Sequence, residues 1–69
     1  MKKLTKRQKQ VLILVGKGLS NSEIAKTLLI TTHTVKAHLG ILYELANCSS
    51  RVELIVKALK SGLITLEDI

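Results

Sequence analysis

The chain has no proline, no tryptophan and no phenylalanine, and its 69 residues include one tyrosine (Tyr43), one cysteine (Cys48) and four glycines. Without proline nothing forbids continuous helices, and the few glycines leave few places where the chain must break. Without large aromatics, a core has to come from the Leu, Ile, Val and Ala of the 46% apolar fraction. A lone cysteine forms no internal disulfide, so nothing points to an oxidising compartment, and Cys48 reads as a small core hydrophobe. Long apolar runs are missing too. The longest, Val11 to Val15, falls far short of the about 20 residues that span a bilayer. Lys6, Arg7 and Lys9 follow the Met1-Lys2-Lys3 start directly, and no small-residue cleavage site follows the brief apolar run. No targeting signal is read, and a cytoplasmic location is expected.

Acidic residues are scarce, 5 against 11 basic ones, for a net charge of +6. Lys2, Lys3, Lys6, Arg7 and Lys9 crowd the first nine positions. Such a balance favours a polyanion partner, through release of phosphate counterions, or else a solvated basic end that keeps the protein soluble. Catalysis has almost no foothold. The one close acidic pair, Glu67-Asp68, is terminal, and no Ser/His/Asp or Cys/His arrangement, P-loop or dinucleotide fingerprint is present. His33 and His38 stand five apart with no cysteine or carboxylate beside them, so neither a metal site nor a cofactor is expected. The chain reads as a non-enzyme.

What is present is an all-α pattern in one domain of 69 residues, near the lower size limit for folding without metal or disulfide. Its centre runs from Ser20 to Leu39. Ser20-Asn21-Ser22-Glu23 has capping-box spacing, and Ile24, Ala25 and Leu28 form an inward stripe. Leu29 and Ile30 are expected to turn inward and fix the angle to the next helix. Thr31 can cap that helix, in which Val35, Leu39, Leu42 and Ala46 share one face. A short helix, a brief turn and a longer capped helix make a helix-turn-helix over about 20–46. Ahead of it, Thr5 and Gln8 cap a first helix from Lys6 to Val15 or Lys17, with Val11, Leu12 and Val15 inward. Gly16 and Gly18 are expected to supply its C-cap and turn.

Behind it, Ser50-Arg51-Val52-Glu53 is another capping-box pattern, opening a fourth helix over about 51–61 that Gly62 closes. Val52, Ile55, Val56 and Leu59 form a stripe suited to the core. Leu54 and Ala58, with Ser61, are left as a second surface, where a symmetric homodimer would bury the same patch twice. The alternative is a core that these residues simply fill more broadly. The core should span residues 4–64, and the tail from Thr65 to Ile69 is expected to fray.

Laid end to end, these blocks resemble the LuxR/GerE/NarL-type helix-turn-helix domain of bacterial transcription regulators. The resemblance rests on Leu4-Thr5-x-Arg7-x-x-x-Val11-Leu12, Gly18-Leu19-Ser20-Asn21-x-Glu23-Ile24-Ala25 and Thr34-Val35-Lys36-x-His38-Leu39. It continues in Ser50-Arg51-x-Glu53 and Gly62-Leu63-Ile64, and the intervals between blocks agree as well. The resemblance implies a four-helix domain of winged-helix-like type without a β wing, as found in response regulator effector domains. It implies sequence-specific binding of double-stranded DNA with the third helix in the major groove, often as a homodimer paired through the fourth. No small-molecule ligand or membrane is implied for this domain, and RNA polymerase is a candidate protein partner.

By the same resemblance, Lys36, Ala37 and Gly40 occupy positions facing base edges. Thr5, Ser20, Asn21, Thr34 and Arg51 match positions that contact phosphates or brace the recognition helix. Lys36 can donate to guanine O6 and N7. Thr32 and His33 lie in the first recognition turn, where His33 could reach a base or a phosphate. Tyr43 could bond a phosphate or cover the core, and His38 reads as a packed structural histidine. Lys26 and the N-terminal lysines read as nonspecific phosphate contacts. The departures are concentrated in the third helix. Gly40 stands where a side chain is usual, Ile41 replaces a common Asn, and Glu44 and Leu45 replace frequent cations. They leave two alternatives open: a DNA reader, or a protein-interaction and dimerisation module of the same fold with weak DNA affinity. A sigma-factor-like region is the nearest relative in class, and the Ser50-Arg51-x-Glu53 block argues against it.

Overall fold

A computed structural model describes residues 4–69. Lys2 and Lys3, expected among the phosphate contacts, lie outside the described residues. Among those described there are four α-helices, α1 (Lys6–Gly16), α2 (Asn21–Leu28), α3 (Thr32–Ala46) and α4 (Arg51–Lys60), and a closing 3₁₀ turn, Leu66–Asp68.

Every helix starts on a hydroxyl. Thr5 Oγ1 accepts from Gln8 N–H at 3.1 Å while Gln8 Oε1 accepts from Thr5 N–H at 2.9 Å. Ser20 and Glu23 repeat that reciprocal pair at 3.2 and 2.8 Å. Thr31 and Ser50 cap α3 and α4, each accepting one amide at 3.1 Å. Each such cap satisfies amides that a helix start leaves without partners, and is worth about 1 kcal/mol. The box expected at Ser50 forms only by half: Glu53 leaves its carboxylate at 3.9 Å from Lys57 Nζ, one turn on.

The helices also end alike. Gly18, Leu29, Asn47 and Gly62 take positive φ (87°, 57°, 52° and 78°). Beyond each, an amide reaches back five residues: Leu19 to Leu14, Ile30 to Ala25, Cys48 to Tyr43 and Leu63 to Ala58, at 3.0–3.2 Å. This Schellman closure calls for the left-handed region, which glycine adopts without cost. Leu29 adopts it with a side chain. Contrary to the expectation of an inward turn, it is 91% exposed, because the left-handed cap swings it away from α3. Gly16, expected in a turn, is instead the last residue of α1. A Cβ there would fall 2.6 Å from Ile69 Cγ2, so its bare face is the seat of the C-terminal isoleucine. The tail expected to fray is thus folded back on α1, and Thr65 N–H donates to Asp68 Oδ2 at 2.8 Å.

α3 packs against the other three helices. The core joins Val11, Leu12 and Val15 of α1, Ile24 and Ala25 of α2, and Val35, Leu39, Leu42 and Ala46 of α3. Leu54, Ala58 and Ile64 complete it. Cys48 and Tyr43 are half-buried against this core. The assignment of faces on α4 holds for Ile55 and Leu59, which pack against the core, and fails for the other four apolar residues. Leu54 and Ala58, proposed as the outer surface, have 0% exposure, while Val52 and Val56, proposed as core, are 76% and 42% exposed. Glu53, Lys57 and Lys60 mark the polar side of α4, but its apolar residues cover so wide an arc that periodicity alone does not choose which part is buried. In the observed rotation Leu54 and Ala58 join the core and two cations of α4 bond to the other helices, as described below. Ser61 is exposed, with its hydroxyl donating to Ala58 C=O at 3.1 Å.

Candidate nucleic-acid interface

With Val35, Leu39, Leu42 and Ala46 turned inward, the helical period leaves Thr32, His33, Lys36, Ala37 and Gly40 on the opposite side of α3, and all five are exposed. Glu44 and Ile41 extend this face by one more turn. Lys36 and His33 make no hydrogen bond or ion pair among the described residues, so their polar atoms are free to meet another molecule. Thr34 is half-buried, its Oγ1 3.0 Å from the Thr31 hydroxyl, and so belongs to the cap rather than the outer face. His38 is half-buried, as expected of a packed histidine, and its buried Nδ1 has no partner among the described residues.

The flanking residues divide by what already occupies them. Thr5 and Ser20 are exposed but spend their hydroxyls on capping boxes. The Ser20 backbone amide and hydroxyl, both bonding the Glu23 carboxylate, hold its pKa below the usual carboxylate value, with a smaller contribution from Lys26. Lys26 itself is exposed in the last turn of α2. Tyr43 is half-buried.

Arg51 had two expected roles, and its geometry is that of a brace. One guanidinium nitrogen donates to Asn21 Oδ1 at 2.8 Å and another to Leu19 C=O at 2.6 Å, tying the start of α4 to the start of α2. Asn21 is thereby an acceptor within the fold. A second brace had no sequence signal. Lys57 Nζ donates to the carbonyls of Ala46 and Asn47, at 3.0 and 2.8 Å, capping the end of α3 with a positive charge. Both sets of bonds are made in the rotation that buries Leu54 and Ala58. A groove between α4 and the end of α1 stays open, lined by Val15, Gly16, Arg51, Val52, Ile55 and Val56.

No helix among the described residues is long and apolar enough to cross a membrane. Residues 2–58 match the luxR family of bacterial regulatory proteins. The chain is 39% identical over 61 residues to the oxygen regulatory protein NreC of Staphylococcus carnosus, an alignment covering 88% of this chain and 28% of NreC. It is 36% identical over 61 residues to the response regulator VraR of Staphylococcus aureus, covering 88% of this chain and 29% of VraR. The solved structure of the response regulator ChrA, from a heme-sensing two-component system, superposes with a TM-score of 0.88 at 33% identity, over 93% of this chain and 32% of ChrA. The chain thus spans less than a third of each of these proteins. A family match over most of the chain and a four-helix architecture shared with a response regulator lead to one conclusion: this chain belongs to the luxR family of bacterial regulatory proteins.

Proposed function

We propose that the chain binds double-stranded DNA with the outer face of α3 in the major groove, and that it regulates transcription by doing so. The observation that carries this is the exposed, internally unpaired face of Thr32, His33, Lys36, Ala37 and Gly40. It lies over the first two turns of a helix that three others hold rigidly. A recognition helix in a groove contacts base edges with such N-terminal residues, and the basic balance of the chain supplies attraction to phosphate. A homodimer is part of the proposal. Two copies would meet along the outer face of α4, where Val52, Ile55 and Val56 line an apolar groove that a second copy can cover symmetrically.

Titration of a mixed pool of short duplexes against salt, with Lys36→Ala alongside, tests the reading. Affinity should fall with a log–log slope of about −0.9 per phosphate neutralised, and the selected sequences should depend on Lys36. No saturable binding at low salt would sink it. The dimer is tested separately by sedimentation: Val52→Asp should shift the chain toward monomer without unfolding it. The competing reading, a protein-interaction module that has lost DNA affinity, draws on the exposed Ile41 and on Glu44 in place of a cation. It gains if DNA binding is absent while association through α4 persists.

A further inference from the structure

The outer side of α3 carries two rows of residues spaced four apart, so that each row runs along the helix. One reads Thr32, Lys36, Gly40, Glu44 and is polar or bare. The other reads His33, Ala37, Ile41, Leu45 and is apolar after its first member. Ile41 is the one large apolar side chain of α3 among the exposed ones, at 44%.

Gly40, its neighbour, has no reason within the chain to be glycine. Its φ is not among the positive ones, and a Cβ added there would meet nothing within 4 Å. A glycine inside a helix weakens it through backbone entropy. The bare position therefore makes a notch in the helix surface, open to close approach by another molecule, with Ile41 beside it.

The major groove displays one apolar group, the C5-methyl of thymine, and small or branched apolar side chains contact it. Guanine is read by cations, and this face holds a single lysine. A lone exposed isoleucine is also far too little surface for a stable protein interface, yet it matches the size of a methyl contact. We propose that Ile41 contacts thymine methyl groups, and that the Gly40 notch lets α3 sit deep enough to reach them. The preferred sites carry A·T pairs opposite the middle of α3. The inference rests on the major-groove reading above and names what that face recognises.

The test uses a duplex enriched from a random pool by the wild-type chain. Each thymine is then replaced singly by deoxyuridine, which deletes the methyl and keeps the base pair. Fluorescence anisotropy follows wild type, Ile41→Val and Ile41→Ala, each shown to fold by its melting curve. At one or two positions uracil should weaken wild-type binding about fourfold, the value of one buried carbon. Ile41→Val should keep part of that difference, and Ile41→Ala should bind both duplexes equally. Wild-type binding indifferent to uracil, or a uracil penalty that survives in Ile41→Ala, overturns the assignment and leaves DNA binding standing. Absence of saturable binding at low salt overturns the groove reading itself and this inference with it. Capture of a protein through Ile41 in that case gives the side chain to a protein partner.

Discussion

The outer faces of α3 and α4 are both uncovered, yet they are made of different material. The face of α3 pairs one lysine and one histidine with alanine, a bare glycine and an isoleucine, and the lysine and histidine have no partners among the described residues. The face of α4 is valine and isoleucine around a groove, while its two structural cations, Arg51 and Lys57, are already engaged. A surface with unspent hydrogen-bond donors suits a polar ligand, and one with spent donors and bare hydrocarbon suits a second hydrocarbon surface. One small domain thus offers two chemically distinct contacts on adjacent helices.

The contrast breaks most severely if the inner side of α4 is truncated. Leu54→Ala empties a fully buried site and should cost about 2–5 kcal/mol, enough to leave so small a domain largely unfolded in a urea titration. Val52→Ala, on the outer side, should leave the same curve nearly unmoved; equal losses at both positions would erase the distinction between the faces. Arg51→Ala comes next. It strips the Leu19 carbonyl and Asn21 of a charged donor, for a loss of about 1.5–3 kcal/mol seen as a lowered melting temperature. Lys36→Ala should leave the melting temperature alone and reduce DNA affinity by about 1–3 kcal/mol at moderate salt. A fall in stability of that size would mean the lysine belongs to the fold instead.

Gly40→Ala sharpens the comparison from the other direction. It should stabilise α3 by up to about 1 kcal/mol while weakening DNA binding, so that stability and affinity move oppositely. The smallest effect concerns acid. Because the folded state holds the Glu23 carboxyl below its ordinary pKa, its contribution is fully present above the unfolded value and fades as pH falls through the folded one. Glu23→Gln should therefore lower stability slightly at neutral pH, leave it unchanged at low pH, and so flatten the acid limb of the profile. An unchanged acid limb would remove this capping carboxylate from the account.

Helix starts were legible because a hydroxyl cap and its partner lie three residues apart, and one-sided stripes such as Val35, Leu39, Leu42 and Ala46 announce their buried face. Lys36, Ala37 and Gly40 were named through the family resemblance, and the inward stripe of α3 leaves all three on its exposed side. The rotation of α4 did not follow. Val52, Leu54, Ile55, Val56, Ala58 and Leu59 cover a wide arc of that helix, and the contacts that go with its observed rotation are long-range, such as the bonds from Arg51 to Leu19 and Asn21, 32 and 30 residues away. Leu29 was read as inward because leucine normally is. Its left-handed backbone comes from closing the turn, at a cost of about 1–2 kcal/mol that no residue pattern displays. The seat of Ile69 on Gly16 is likewise a contact between distant parts of the sequence, invisible to any local rule.

Arg51 fastens α4 to the beginning of α2, and Lys57 fastens it to the end of α3, so one ten-residue helix grips both arms of the helix-turn-helix. It works as a splint that ties its outer edge to α2 and α3. In the proposed pairing of two copies along that edge, the distance and tilt between their two α3 helices would be set by the α4 seam. The spacing of the half-sites then becomes a property of the splint, and the bases recognised within each remain a property of α3. Substitutions on the α4 edge should therefore retune operator geometry while leaving the recognised letters unchanged.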